Sequence, residues 1–354
     1  MKTCTLDLYP DYWLSSTGPT TATGLSRLVA GALSHDQITR WLSSAQWGLT
    51  GLWRAAKPRI RQAEAQRSGE DFAVLVVDDS ILEKARADAN ELICTHWDHG
   101  QQRHVKGLNF VSLRCQAGEL ALPTAVELVR KTGAVWAAKS RQTKYRSPFT
   151  KNEYLQQMPR VAPPQAADRY LLADSWYASA ENMTLVRALG HHFVFALESS
   201  RAAALGAGAR AQGRFQAVQA LAFPEAQPLR VYLRAVKEAV LVSRHVLTNQ
   251  DGSQGVWHLV SGDTDPGQAQ LTTLYQRRWK AEEYRKSLKQ HASTGKSPTK
   301  TLATQANHFA AAVPACTKPE LLKLRCGLGH FRPKAHLHAV GLKAMYQQLA
   351  LLRA

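Results

Sequence analysis

The chain has 354 residues, 45% of them hydrophobic, which is enough for one large domain with an insertion or for two domains. No stretch approaches the roughly 18 uncharged apolar residues of a membrane span, and the opening MKTCTLDLYPDYW lacks the apolar run and cleavage site of a secretory signal, so a cytoplasmic location is expected. Five scattered cysteines without a CxxC pair argue against a zinc ribbon or disulfide framework, while 45 Lys and Arg against 27 Asp and Glu, a formal charge of +18, point to a polyanionic partner.

The first 70 residues read as helical. SRLVAGALSH and DQITRWLSSAQWGLTGLWRAAKPRIRQAEAQ space their apolar residues by three and four. The segment SHDQITRWLS, residues 34–43, reads either as part of a small DNA-binding unit or as a cap packed on the next domain. The period then changes. FAVLVV, residues 72–77, is a continuous apolar run ended by Asp78, Asp79 and Ser80, as expected for a strand buried on both faces. ELICTHW, GLNFVSLRC and ELALPTAVELV continue as strands. A basic stretch from Arg130 to Lys151 follows, then the helical KNEYLQQM. RYLLA is a short buried strand ending in Asp174, SAENMTLVRALG a helix closed by Gly190, and HHFVFALE a further strand.

Residues 199–267 open on the small-residue loop SSRAAALGAGARAQG and continue with strand-like pieces, which suggests a β-rich insertion. A long helix is expected after Asp265, Pro266 and Gly267, running through LTTLYQRRWKAEEYRKSLKQ. From Tyr275 to the end there are fifteen Lys and Arg but only Glu282, Glu283 and Glu320. Such clustering is the electrostatic footprint of a nucleic-acid binder. The reading therefore divides the chain into a helical region 1–70, the first part of an α/β core 71–198, the insertion 199–267, a helix 268–290 and a basic C-terminal region 291–354.

Two buried runs that each end in an aspartate deliver both carboxylates to one edge if their strands are neighbours. Either aspartate alone reads more readily as a turn former or a helix cap. The helix adds Glu282 as a third acid, and Tyr275, Arg278, Glu282 and Lys289 fall on one of its faces at spacings of three, four and seven. Three convergent carboxylates suit Mg²⁺, or Mn²⁺ in its place. Two such ions promote in-line phosphoryl displacement, and Arg278 and Lys289 are placed to pair with phosphates. Tyr275 can donate to a phosphate or stack on a base. Cys94, His96, His99 and His104 lack a second ligand pair, so no zinc site is expected there. No GxxxxGK[ST] loop occurs, so no nucleotide cofactor is implied.

Taken together, Tyr275-x2-Arg278-x3-Glu282-x6-Lys289, VLVVDDS, YLLADSWYAS and HVKGLNFVSL resemble the YREK-bearing DDE transposases of bacterial insertion sequences, insertion sequence family four and its relatives. The resemblance spans roughly residues 70–290. It implies an RNase H-like α/β fold, a mixed sheet flanked by helices, with Asp78, Asp174 and Glu282 binding two Mg²⁺ ions. Asp79 is an alternative to Asp78 that strand alternation does not decide; the Ser80 that follows matches the family pattern with Asp78 as ligand. The resemblance further implies cut-and-paste transposition, terminal inverted repeats and target DNA as partners, a homodimeric synaptic complex and a nucleoid-associated protein. A flipped base would be held by an aromatic residue, with Trp257 and Trp279 as candidates. A DDE-type nuclease without strand transfer, and a domesticated or inactive DNA-binding derivative, are the alternatives.

Overall fold

The computed structural model describes residues 4, 7–16, 20–44, 54, 57–58, 61–62, 73–118, 120–138, 141–161, 168–248, 251–279, 301–326 and 332–351. Glu282 and Lys289, with the second half of the expected helix, lie outside them.

Three N-terminal helices, α1 (Leu8–Ser15), α2 (Ala22–Leu28) and α3 (His35–Ser44), precede the first strand. Strand β1 (Ala73–Glu83) pairs antiparallel with the long β3 (Arg103–Ala117) in an unbroken register from Val74↔Gln116 to Glu83↔Gly107. That pairing carries β1 past the two aspartates, where the sequence reading ended it. The far side of β3 is shared by β2 (Ile93–Asp98) and β4 (Leu120–Leu128). A separate hairpin, β5 (Gly133–Ala137) and β6 (Gln142–Arg146), occupies the basic stretch and leads into α4 (Lys151–Val161).

Strands β7 (Asp168–Ala173) and β8 (His192–Leu197) then add in parallel, β7 on β1 and β8 on β7, joined by α5 (Ala180–Ala188). Ser179 caps α5 by accepting the Asn182 N–H at 3.1 Å. Its C-terminus is closed by Gly190 at φ +78, with His191 N–H donating back to the Val186 carbonyl at 3.1 Å. The order β4–β3–β1–β7–β8, antiparallel then parallel, is that of an RNase H-like core.

Residues 199–267 supply β9 (Ala202–Ala204), the short helix α6 (Gly206–Ala211), β10 (Gln216–Ala217), β11 (Leu229–Leu233), β12 (Val240–Thr248) and β13 (Gln254–Ser261). They do not stand apart, because β13 pairs antiparallel with β8 and extends the core into one eleven-stranded sheet among the described residues. Helix α7 (Gln268–Gln276) gives way to a 3₁₀ turn, Arg277–Trp279, where the sequence suggested a continuous α-helix. Helices α8 (Leu302–Cys326) and α9 (Arg332–Leu351) complete the described chain.

Alternation along β1 explains the layers. Ala73, Leu75 and Val77 face Leu155 and Met158 of α4 and Met183 and Val186 of α5, while Val74 and Val76 face Leu271, Leu274 and Tyr275 of α7. Burial of each such side chain stabilises the fold by roughly 1.5–3 kcal/mol. A third cluster joins Tyr9, Trp13, Leu25, Ile38 and Leu42 of the N-terminal helices to Phe309 and Ala311 of α8 and to Leu108 and Phe110 of β3. Asn307 donates to the Leu42 carbonyl at 2.6 Å. Within residues 34–43, Ile38 and Leu42 supply the side chains that make this contact. Among the described residues no helix is long and apolar enough to cross a membrane.

Gly107 marks the tightest strand approach, since a Cβ there would lie 2.3 Å from the Leu82 carbonyl oxygen. Gly107→Ala is expected to cost about 1–3 kcal/mol by overpacking. Gly208→Ala, in a helix with open space around the site, is expected to be neutral or to stabilise by up to about 1 kcal/mol. Urea unfolding measures both, and equal stability of the two variants would mean that β1 yields freely.

Candidate active site

The pairing of β1 with β7 runs in phase from Val74↔Tyr170 to Val76↔Leu172. Paired residues of parallel strands share a face, and adjacent strands lie about 4.7–4.9 Å apart. Asp78 is two residues beyond Val76 and Asp174 two beyond Leu172, so the strand positions lead both carboxylates to the α7 side at neighbouring strand ends. Strand β7 stops at Ala173 while β1, held by β3, continues to Glu83, so that β1 edge is not continued by β7 beyond the carboxylates. The result is a cleft of about 660 Å³ lined by Asp78, Asp79, Asp174, Lys151, Trp97 and Trp176 among others.

The three aspartates have different surroundings. Asp78 is buried, 8% exposed, and its main-chain carbonyl accepts the Ser112 hydroxyl at 3.3 Å. Asp79 points to the opposite face, where its carboxylate takes the Lys151 ammonium at 2.6 Å and the Tyr177 hydroxyl at 3.2 Å. Asp174 caps the 3₁₀ turn Ser175–Tyr177 by accepting the Trp176 N–H at 3.0 Å. Burial, and then the charges of Asp78 and Asp79, push the Asp174 carboxyl above the usual range, and Arg278 only partly offsets them. Burial and the neighbouring carboxylates thus both disfavour the charged form of Asp174.

Arg278 and Tyr275 reach this site from α7 and its 3₁₀ turn. The guanidinium lies 5.2 Å above the Tyr275 ring, and its Nε is buried with no hydrogen-bond partner among the described residues. Tyr275 is buried, its hydroxyl pushed upward by burial, drawn down by Arg278 and raised again by Asp174. Trp257 stacks between His245 at 4.5 Å and Tyr275 at 5.5 Å. Trp279 is 53% exposed.

Lys151, Tyr177, Trp97 and Trp176 were not singled out as site residues in the sequence. The signal for Tyr177 and Trp176 lay within YLLADSWYAS itself, three and two residues past Asp174. Lys151 was visible only as the end of a basic stretch. Cys94 and His96 do meet, Sγ to Nε2 at 3.2 Å, but His99 and His104 pack against the Trp97 ring instead. Burial and the Lys131 charge draw the His96 pKa down to about 4. Among the described residues no group of three His, Cys, Asp or Glu converges as a metal site; the strand ends supply two carboxylates, Asp78 and Asp174, on one face.

A family model described as a DDE superfamily endonuclease matches residues 5–216, and a second, described as a transposase DDE domain, matches residues 150–315. No curated protein matches the chain. The first match covers more than half of the 354 residues and spans β1, β7 and both strand-end aspartates: the chain belongs to the DDE superfamily of endonucleases and transposases.

Proposed function

We propose that the chain is a cut-and-paste DNA transposase of the YREK branch, which nicks DNA at the terminal inverted repeats of its own element and joins the released 3′ ends to target DNA as a homodimeric synaptic complex. The observation that carries this reading is the in-phase pairing of β1 and β7, which brings Asp78 and Asp174 to one face beside the helix that leads towards Glu282. Asp78, Asp174 and Glu282 are the proposed ligands of two Mg²⁺ ions, which Mn²⁺ replaces. The raised Asp174 carboxyl and the all-oxygen donor set fit hard divalent cations. Such ions, when bound, supply activation of the attacking hydroxyl and stabilisation of the leaving oxygen.

The protein's own groups do the positioning. Asp79 is engaged by Lys151 and Tyr177 on the other face, which favours Asp78 over Asp79 as the ligand. Arg278, with a buried Nε in need of an acceptor, is suited to a phosphate oxygen of the DNA backbone. Tyr275 supports it from below as the platform for the guanidinium. Lys289 is assigned a second phosphate on its spacing alone. Of the two tryptophans considered for a flipped base, Trp279 is the exposed one.

The deciding experiment is Mg²⁺-dependent cleavage and joining of DNA carrying the element's paired ends. Asp78→Asn and Glu282→Gln are expected to lose roughly 10³-fold in cleavage, equivalent to several kcal/mol of lost charge stabilisation, while end binding stays within about twofold. Asp79→Asn is expected to keep cleavage within about tenfold. Loss through Asp79 and not Asp78 would reverse the assignment. Cleavage without joining would make the protein a DDE nuclease, and binding without cleavage a domesticated or inactive copy.

A second prediction concerns the metal-free protein. Asp174 has a raised folded-state pKa, so its protonated form is favoured by folding. Its stabilising contribution is present below the ordinary aspartate pKa of about 3.9 and is lost as pH rises through the folded value. Asp174→Asn, which keeps the capping oxygen, should therefore melt higher than the wild type in chelator at neutral pH. The gap should close as pH falls towards 4. Adding Mg²⁺ should raise the melting temperature of the wild type and leave the variant nearly unmoved; an equal response of both proteins would remove Asp174 from the metal site.

A further inference from the structure

Beside the carboxylates runs an aromatic wall that phosphoryl transfer does not require. Trp97 on β2 and Trp176 on the turn after β7 are 42% and 58% exposed. His99 bridges them, its ring 6.4 Å from each, and His104 meets the Trp97 ring edge-on at 5.0 Å. The Lys151 ammonium lies 5.4 Å from the centre of the Trp176 ring. Burial does not explain these rings, because half of each faces the cleft.

The wall joins two hollows. Trp97, Lys151 and Trp176 line both the carboxylate cleft and a second cleft of about 820 Å³, which runs on between His96 and His104 on one side and Thr143 and Lys144 of the hairpin β5–β6 on the other. The trough therefore leads from Asp78 and Asp174 to the hairpin. Between Val129 and Asn152 the sequence has seven Lys and Arg and no Asp or Glu. The hairpin also exposes Trp136 and Tyr145, 64% and 60% accessible. Acids occur only at the carboxylate end, and they are engaged: Glu198 accepts the Ser175 hydroxyl at 2.7 Å and Asp98 accepts the Gly100 and Gln101 N–H groups.

Rings alternating with ammonium groups along a groove bind unpaired nucleotides with little regard to sequence, since every base offers a face to stack and every link a phosphate to pair. A duplex keeps its base faces inside and cannot reach such rings. We infer that this trough holds an unpaired strand of DNA leading away from the carboxylates, its bases stacked on Trp176 and Trp97 and its phosphates drawn to Lys144 and the hairpin. The inference rests on the proposed DNA-cleaving function and adds that the DNA is single-stranded where it leaves the site.

The test uses the full chain in chelator, so that binding is read without cleavage. Fluorescence anisotropy is recorded for labelled oligothymidylate and for a blunt duplex. Trp97→Ala and Trp176→Ala are each expected to weaken oligothymidylate binding about tenfold and duplex binding by less than about twofold, with Trp176→Phe restoring most of the loss. Lys144→Ala should weaken binding of both and lower the salt dependence by about one ion. Thermal unfolding of each variant checks that the fold is kept, and Trp97→Ala carries the comparison if Trp176→Ala does not fold. Equal losses on both DNAs, or none on the single strand, would overturn the inference. Duplex binding by the wild type with no affinity for oligothymidylate would overturn the trough alone, whereas no binding of either DNA would remove the DNA-cleaving reading with it.

Discussion

The parallel pairing of β1 and β7 is the constraint on which the rest of this structure depends. It must be buried on both faces, because a parallel pair joined through a crossover places helices above and below it. AVLVV and YLLA are accordingly apolar at consecutive positions, with alternate residues entering the α4/α5 core and the α7 core. The pairing also fixes phase. A slip of one residue would turn the β7 set to the other face and send Asp174 away from Asp78. Core packing and site geometry are therefore specified by the same register, and the hydrophobic side chains that hold it act on the carboxylates without touching them.

Charge is the second organising element. Three aspartates at two neighbouring strand ends repel one another, and the chain separates them by face. Asp79 is turned to Lys151 and Tyr177, an arrangement that satisfies it within the protein. Asp78 and Asp174 remain on the α7 side, where Arg278 gives partial compensation and Asp174 stays raised. A buried carboxyl raised in this way costs stability when charged, as at neutral pH. Sites that bind charge commonly hold groups with perturbed titration for this reason.

Much of the sheet was legible in the sequence because burial on both faces leaves an unmistakable pattern. AVLVV, GLNFVSLRC, RYLLA and HFVFAL all lie where strands form, and Gly190 ends its helix with the positive φ that such a position favours. The reading fell short where a partner decides the outcome. The strand β1 extends past Asp78 and Asp79 because β3 pairs with it residue for residue as far as Gly107, information that resides in β3. The helix after Gly267 tightens into a 3₁₀ turn at Arg277, although its polar spacing suits a continuous α-helix. Strand β13 fuses the insertion to the core through β8, which no local pattern announces. Lys151, Trp97 and Trp176 come from three separate segments, so only the fold makes them neighbours. Alternation along one strand puts Asp78 and Asp79 on opposite faces, and pairing with a second strand shows which of the two faces each takes.

Asp174 links the chemistry of the site to its walls. Its carboxylate oxygen Oδ1 accepts the Trp176 N–H and so caps the turn Ser175–Tyr177, which carries Trp176 into the cleft and Tyr177 back towards Asp79. One short turn therefore couples a carboxylate on the α7 face, an exposed ring on the cleft wall and a phenol that steadies the neighbouring aspartate. A cation drawn to Asp174 would compete with the Trp176 N–H for electron density on that carboxylate, while the second oxygen allows both to be served at once. Three of the four residues from Asp174 to Tyr177 thus meet three different demands within one turn. Catalysis in general needs reacting atoms held in near-attack geometry, and a capped turn with several side-chain contacts is one way a chain fixes a carboxylate in place.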